Sequence, residues 1–201
     1  GFSFSGVHVL TGNRAMKATI IQKAATYVLE HGLADESIRT IAQGIGTSHR
    51  MINYHFGGSE GFWEALINEI RRIELEKSRK YFASQQALPS HGISRAWAYF
   101  STPEYQKIFR IIFEIYVKVL RAPGEHEAFV RSFVDEWLSL LAASFAQHYQ
   151  LSADEAMPYA RLRLACIRGL MLDLLLTRQA EGIAQAAQLF DQMLSSQLTR
   201  R

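Results

Sequence analysis

Ser48, His49, Arg50, Asn53, Tyr54 and His55 crowd into little more than two helical turns. Together they carry most of the hydrogen-bonding types that read a nucleic-acid surface. A guanidinium such as Arg50 can pair with guanine O6 and N7, and a carboxamide such as Asn53 with adenine N6 and N7. Hydroxyls such as those of Ser48 and Tyr54 suit phosphate oxygens, which position a protein without specifying sequence. His49 is placed as a further contact, whereas His55, next to Phe56, reads equally well as a contact and as a packing residue. Arg50 has the blander alternative of a solvated surface arginine. Arg14 and Lys17 could reach phosphates or an adjoining minor groove from an earlier helix, or simply be solvated. Ser37 and Thr47 complete the candidate DNA-binding set. The two histidines lie too far round a helix from one another to share a metal ion.

Such side chains need a rigid mount, and residues 37–56 supply one. Ser37, with Asp35 before it, flanks the start of a helix whose inward stripe is Ile38, Ile41, Ala42 and Ile45. Gly46 ends that helix and Ser48 caps the next, its hydroxyl accepting a backbone N–H that would otherwise be orphaned. In the short helix that follows, Met51, Ile52 and Phe56 are expected on the buried side, with Ser48, His49, Arg50, Asn53, Tyr54 and His55 facing out. Two helices locked by apolar residues across a glycine turn make a helix-turn-helix. A preceding helix, from about Asn13 or Arg14 to His31, carries Ile20, Ile21, Ala24, Ala25, Val28 and Leu29 at helical spacing, and Gly32 stops it. After Gly57-Gly58, Ser59 is expected to cap a long fourth helix from Glu60 to about Phe82.

Residues 14–65 closely resemble the TetR family of one-component bacterial transcription regulators. The resemblance runs through Ile20-x3-Ala24-Ala25, Gly32, Ser37-Ile38-x2-Ile41-Ala42 and Gly46-Thr47-Ser48, and continues through Met51-Ile52-x-Tyr54-His55-Phe56 and Ser59-Glu60-x-Phe62. The order and spacing are the family's. Asn53 stands where the family usually has tyrosine, Thr47 where it commonly has valine, and Ser59 where lysine often begins the fourth helix. Tyr54 is placed to take over the phosphate contact. A looser likeness covers Arg168 to Thr177 and the last amphipathic helix, which look like the closing helix pair that builds a four-helix bundle across the family's dimer. Residues 90–150 match nothing in the family, as expected where members diverge to suit different ligands.

The rest of the chain reads as helices as well, because apolar residues recur at three and four rather than two. Pro89 to Gly92 mark a boundary, and Ile93–Phe100 a short helix. Thr102-Pro103-Glu104 then form a strong start signal. Lys107, Arg110, Glu114, Lys118 and Arg121 form one narrow polar stripe on the helix they open, otherwise apolar from Ile108 to Leu120 and expected to be buried over most of its circumference. Phe129, Phe133, Trp137, Leu141 and Phe145 line the next helix. Ser152 and Glu155 match a capping box, with Pro158 close enough to kink or delay the helix that follows. The closing helix runs from about Glu181 to Leu198. Trp97, Phe100, Phe109, Phe113, Tyr116, Phe133 and Trp137 are the candidate lining of a ligand cavity, against the alternative of an ordinary aromatic core.

The bulk composition fits this reading. Forty-eight per cent of the 201 residues are hydrophobic and 20% charged, so the chain is a folded protein rather than a disordered one. A net charge of +3 permits nucleic-acid binding without arguing for it. The lone cysteine, Cys166, fits a reducing cytoplasm and is expected to be a small buried hydrophobe. The N-terminus lacks a signal-peptide pattern, and residues 1–12 are left out of the fold argument, as a loose arm or as residues foreign to the fold.

The fold class is therefore all-α, with about nine helices: a three-helix DNA-binding head over residues 1–60 and a helical ligand-binding and dimerisation body over 61–201. The resemblance implies a cytoplasmic, homodimeric regulator, expected as a repressor, whose partners are a palindromic double-stranded operator and a small apolar effector. Dimerisation would run through residues 156–198. No metal-ligand cluster, Gly-rich phosphate loop or nucleophile elbow is present, so neither cofactor nor catalysis is expected. The alternative is a helical small-molecule carrier or enzyme that retains the head as a scaffold.

Overall fold

Helical periodicity and abrupt Gly and Pro breaks are realised directly in the architecture. The computed structural model describes residues 5–33, 37–84, 92–122, 124 and 127–199, with the side chains of 12–33, 37–81, 92–122, 124, 131 and 133–199. Asp35, Pro89 and the side chains of Phe82 and Phe129 lie outside these. Among the described residues there are nine helices and no strand: α1 (Ser5–His31), α2 (Ile38–Gly44), α3 (His49–Phe56), α4 (Ser59–Ser84), α5 (Ile93–Phe100), α6 (Pro103–Arg121), α7 (Glu127–Tyr149), α8 (Ala153–Thr177) and α9 (Ala180–Thr199). By compactness the chain divides into a first unit, Gly1–Leu75 with Ile111–Lys118, and a second, Glu76–Arg110 with Val119–Arg201.

In the first unit, Ile20, Ala24, Ala25 and Val28 of α1 are buried, as are Ile38, Ile41 and Ala42 of α2 and Ile52 and Phe56 of α3. The start of α4 adds Phe62, Leu66, Ile67 and Ile70 to the buried set, and Phe56 meets Phe62 edge-on with ring centroids 5.4 Å apart. The middle of α6 also belongs to this unit. There the Glu114 carboxylate accepts the Leu33 N–H at 2.5 Å, just past the end of α1, and the Lys118 ammonium lies 3.8 Å over the Trp63 ring. These two contacts sit one helical turn apart on α6.

Two boundaries differ from expectation. Helix α1 starts at Ser5, not near Asn13, so the segment set apart from the fold is partly helical. Residues 12–19 are all exposed. Ser59 is the first residue of α4 rather than its cap.

In the second unit, α7, α8 and α9 share a core of Leu138, Leu141, Phe145, Ala160, Leu164 and Leu194, with Trp137 packed against it. The capping box forms as expected: Ser152 Oγ accepts the Glu155 N–H, and the Glu155 carboxylate accepts the Ser152 N–H. Pro158 lies inside α8 without ending it, although its nitrogen has no hydrogen to donate to the carbonyl four residues back. Burial of α6 is narrower than expected. Val117 and Leu120 are exposed, because they fall off the three-and-four stripe Tyr105, Ile108, Ile112 and Ile115.

Asp191 of α9 caps α5 from a distance in sequence. Its carboxylate accepts the backbone N–H of Ile93 at 2.9 Å and of Ser94 at 2.8 Å, and the Ser94 hydroxyl at 2.6 Å. The buried Arg163 guanidinium stands 3.8 Å from the same carboxylate and 4.7 Å over the Phe145 ring. Cys166 is half-buried beside this pair, not the fully buried hydrophobe expected. Burial, reinforced by the Asp191 carboxylate and opposed by Arg163, pushes its thiol above the ordinary value. Since the thiolate is the reactive form, alkylation of the folded chain is expected to reach half-rate at a higher pH than in the denatured chain. In a folded Asp191→Asn variant the midpoint moves back down. Stopped-time alkylation followed by mass spectrometry checks both shifts, and coincident folded and unfolded midpoints would refute the electrostatic account.

Candidate nucleic-acid interface

The turn between α2 and α3 is built from backbone bonds that the sequence makes available. Ser37 caps α2, accepting the Thr40 N–H at 3.1 Å. At the other end Gly46, with φ of 74°, lets the Thr47 N–H reach the Ala42 carbonyl at 2.9 Å and its own N–H reach that of Gln43 at 3.2 Å. This is the Schellman arrangement, and it needs a residue free to adopt a left-handed conformation. Two residues on, Ser48 Oγ accepts the Met51 N–H at 3.2 Å and opens α3. The angle between the two helices is thus held by the chain itself, and Ile41, Ala42 and Ile52 fill the space beneath.

On that mount His49, Arg50, Asn53 and Tyr54 are exposed, Tyr54 to 73%. Ser48 is exposed as well, and Thr47 half-buried. Arg14 and Lys17 are exposed on α1, and the Lys17 ammonium lies 5.1 Å from the centroid of the Phe56 ring, the last residue of α3. Ser37 spends its hydroxyl on the α2 cap and on a 2.9 Å contact with Thr40 Oγ1.

Two residues depart from the expected faces. Met51 is not buried with Ile52 and Phe56 but 41% exposed, since the buried stripe of α3 is the i, i+4 pair Ile52 and Phe56 and Met51 lies a full 100° step off it. His55 does not join the outward row. Its Nδ1 is 2.7 Å from Asn13 Oδ1, and its Nε2 is buried with no hydrogen-bond partner among the described residues. Standing between the buried stripe and the outer face, His55 is taken up by α1. Sequence reasoning also passed over Arg39, an exposed cation on α2 two residues after its cap. A basic residue at the start of a helix-turn-helix was the available signal.

The candidate ligand residues fall into separate groups. In the second unit Phe100 and Phe109 flank Tyr105, with centroid distances of 5.1 and 5.2 Å, in a ladder that continues through Tyr99 to Tyr81. Trp97, on α5, is only 5% exposed, and its indole N–H has no acceptor among the described residues. Phe133 is buried on α7, and Trp137 packs against the α7–α8–α9 core. Phe113 and Tyr116 lie in the first unit, edge-on at 6.2 Å. Among the described residues no three His, Cys, Asp or Glu side chains come together as a metal site requires, and no helix is long and apolar enough to cross a membrane.

No family model matches the sequence, and no curated protein matches it. Similarity lies in the fold. A crystal structure from Rhodococcus sp., assigned as a TetR-family transcriptional regulator, superposes with a TM-score of 0.68 at 18% identity, over 89% of this chain and 97% of that one. GusR of Salmonella enterica superposes with a TM-score of 0.64 at 22% identity, over 91% of this chain and 95% of its own. At these identities the comparison establishes architecture: the chain has the all-helical fold of a TetR-family regulator.

Proposed function

We propose that this chain is a DNA-binding transcription regulator of the TetR family, acting in the cytoplasm as a homodimer and released from a palindromic operator by a small apolar effector. The observation that carries the proposal is the exposed row on α3. His49, Arg50, Asn53 and Tyr54 are held outward by a helix whose other side is core. A scaffold helix has no need of such a set, whereas a recognition helix in a major groove does. The boundaries that go with it are a DNA-binding head over residues 1–60 and a ligand-binding and dimerisation body over 61–201.

Dimerisation is supported by the outer faces of α8 and α9. Leu162, Ala165, Gly169, Leu172 and Leu176 follow one another at three and four along α8 and are all exposed, as are Gly182, Ala186, Leu189 and Met193 along α9. These are two seams of the kind that close a four-helix bundle with a second copy. A twofold-related pair of α3 helices could then enter successive major grooves, which requires a separation of about 34–36 Å. Effector control would work on that spacing. A movement of α6 would also move its Glu114–Leu33 and Lys118–Trp63 contacts, the first of them with the end of α1 in the head. Favouring the mismatched spacing by a few kcal/mol suffices to release DNA. Repression, rather than activation, is part of the same proposal.

Selection of bound sequences from a random DNA pool, read by sequencing, tests this reading. A palindrome of two half-sites is the expected result, with affinity falling steeply as salt is raised. Failure to enrich any motif would favour a carrier or enzyme that keeps the head as a scaffold. On the selected operator, Arg50→Ala is expected to cost about 1–3 kcal/mol at one base position of each half-site. A loss that is uniform across sequences would assign Arg50 to phosphate instead.

A further inference from the structure

We infer that Met51 is a specificity-determining residue that reads the 5-methyl group of a thymine in each half-site; the inference rests on the reading of α3 as a recognition helix. Apolar side chains exposed singly are ordinary on protein surfaces, so exposure alone would carry nothing. Position is what distinguishes this one. Met51 is the third residue of α3, and in helix-turn-helix proteins the first residues of the recognition helix are those that meet base edges. Its backbone N–H is held by Ser48 Oγ, so the turn that carries it is fixed by the cap. Along the helix it stands four residues after Thr47 and three before the exposed Tyr54, directly beside Arg50. The outward row therefore contains an imidazole, a cation, a carboxamide, a phenol and one flexible apolar side chain.

The chemistry complementary to that apolar member is narrow. Of the groups presented along the major-groove edges of the four bases, the thymine methyl alone is apolar, and it is recognised by apolar contact. The unbranched thioether of methionine adapts to such a contact without demanding one geometry. Cytosine and adenine present amino donors and guanine two acceptors at the same edge, none of which Met51 can satisfy. An apolar side chain covering those groups would leave them without a partner, which adds discrimination against the wrong base.

The test uses the full chain and the operator obtained by selection. Each thymine of one half-site is replaced in turn by deoxyuridine, which removes the methyl group and leaves every hydrogen-bonding atom in place. Binding of the wild-type protein is expected to weaken about fourfold at one position, the loss of one buried methyl-sized group, and roughly fifteenfold when both half-sites are changed. Met51→Ala is expected to bind the thymine and deoxyuridine operators equally, and Met51→Leu to retain most of the preference. Because Met51 is exposed, both variants keep the fold, which circular dichroism verifies. Insensitivity of the wild-type protein to every substitution overturns the inference while leaving the regulator reading intact. So does a Met51→Ala variant that still prefers thymine at the same position. A selection that enriches no motif at all overturns both.

Discussion

Glutamate in place of Leu172 and Met193 together is expected to yield a folded monomer that has lost nearly all operator binding. Both side chains are exposed in the single chain, at 43% and 64%, so the substitutions remove nothing from the core and the helical content stays unchanged. What they change is the seam. In a twofold bundle of α8 and α9 each protomer would bring two carboxylates into an apolar interface, facing their own symmetry mates. Burying such charges unpaired costs several kcal/mol per ion, more than an interface built of a few leucines can offset. A monomer can occupy only one half-site, and losing the second, tethered contact lowers apparent affinity by about 10²–10⁴-fold. Sedimentation equilibrium would report the mass, and titration of full operators against half-operators the affinity. Monomeric wild-type protein, or a variant that stays dimeric and binds the operator unchanged, would remove α8 and α9 from the dimer interface.

What could be read from the sequence and what could not separate along physical lines. Features that depend on neighbours in the chain were legible. Gly46 and Ser48 place the turn because left-handed backbone and a capping hydroxyl are local needs, and both form as expected. The Ser152 capping box and the helix Ile93–Phe100 follow from the same kind of signal. Features that depend on azimuth were partly legible. Met51 reads as core by its residue type, yet the stripe of α3 is narrow, and one residue of offset decides the face. Features that depend on contacts distant in the chain were not legible at all. Nothing near His55 announces Asn13, and nothing near Gly92 announces that Asp191 will cap the helix beginning at Ile93.

Replacing Gly61 carries the largest effect expected within the first unit. It lies in the first turn of α4, where the helical backbone suits any residue and alanine is intrinsically preferred by about 1 kcal/mol. A Cβ built there would nevertheless stand 2.1 Å from the carbonyl oxygen of Phe56, the last residue of α3. That neighbour is main chain, so no rotamer change can relieve the overlap, and the ends of α3 and α4 must separate. Separation pulls apart the Phe56–Phe62 ring contact and moves the Phe56 ring beneath Lys17. Overpacking against backbone typically costs 1–3 kcal/mol or more, which outweighs the gain in helix propensity. Gly61→Ala is accordingly expected to lower the melting temperature by several degrees. It is also expected to reduce operator binding more than it reduces stability, because the displaced element is the one that carries Arg50 and Asn53. Differential scanning calorimetry and operator titration of the same preparation separate the two effects. If Gly61→Ala melts and binds as the parent does, the close approach of α3 to α4 is not what aims the recognition helix. Unchanged binding with lowered stability would place the aim of α3 with the α2–α3 turn alone.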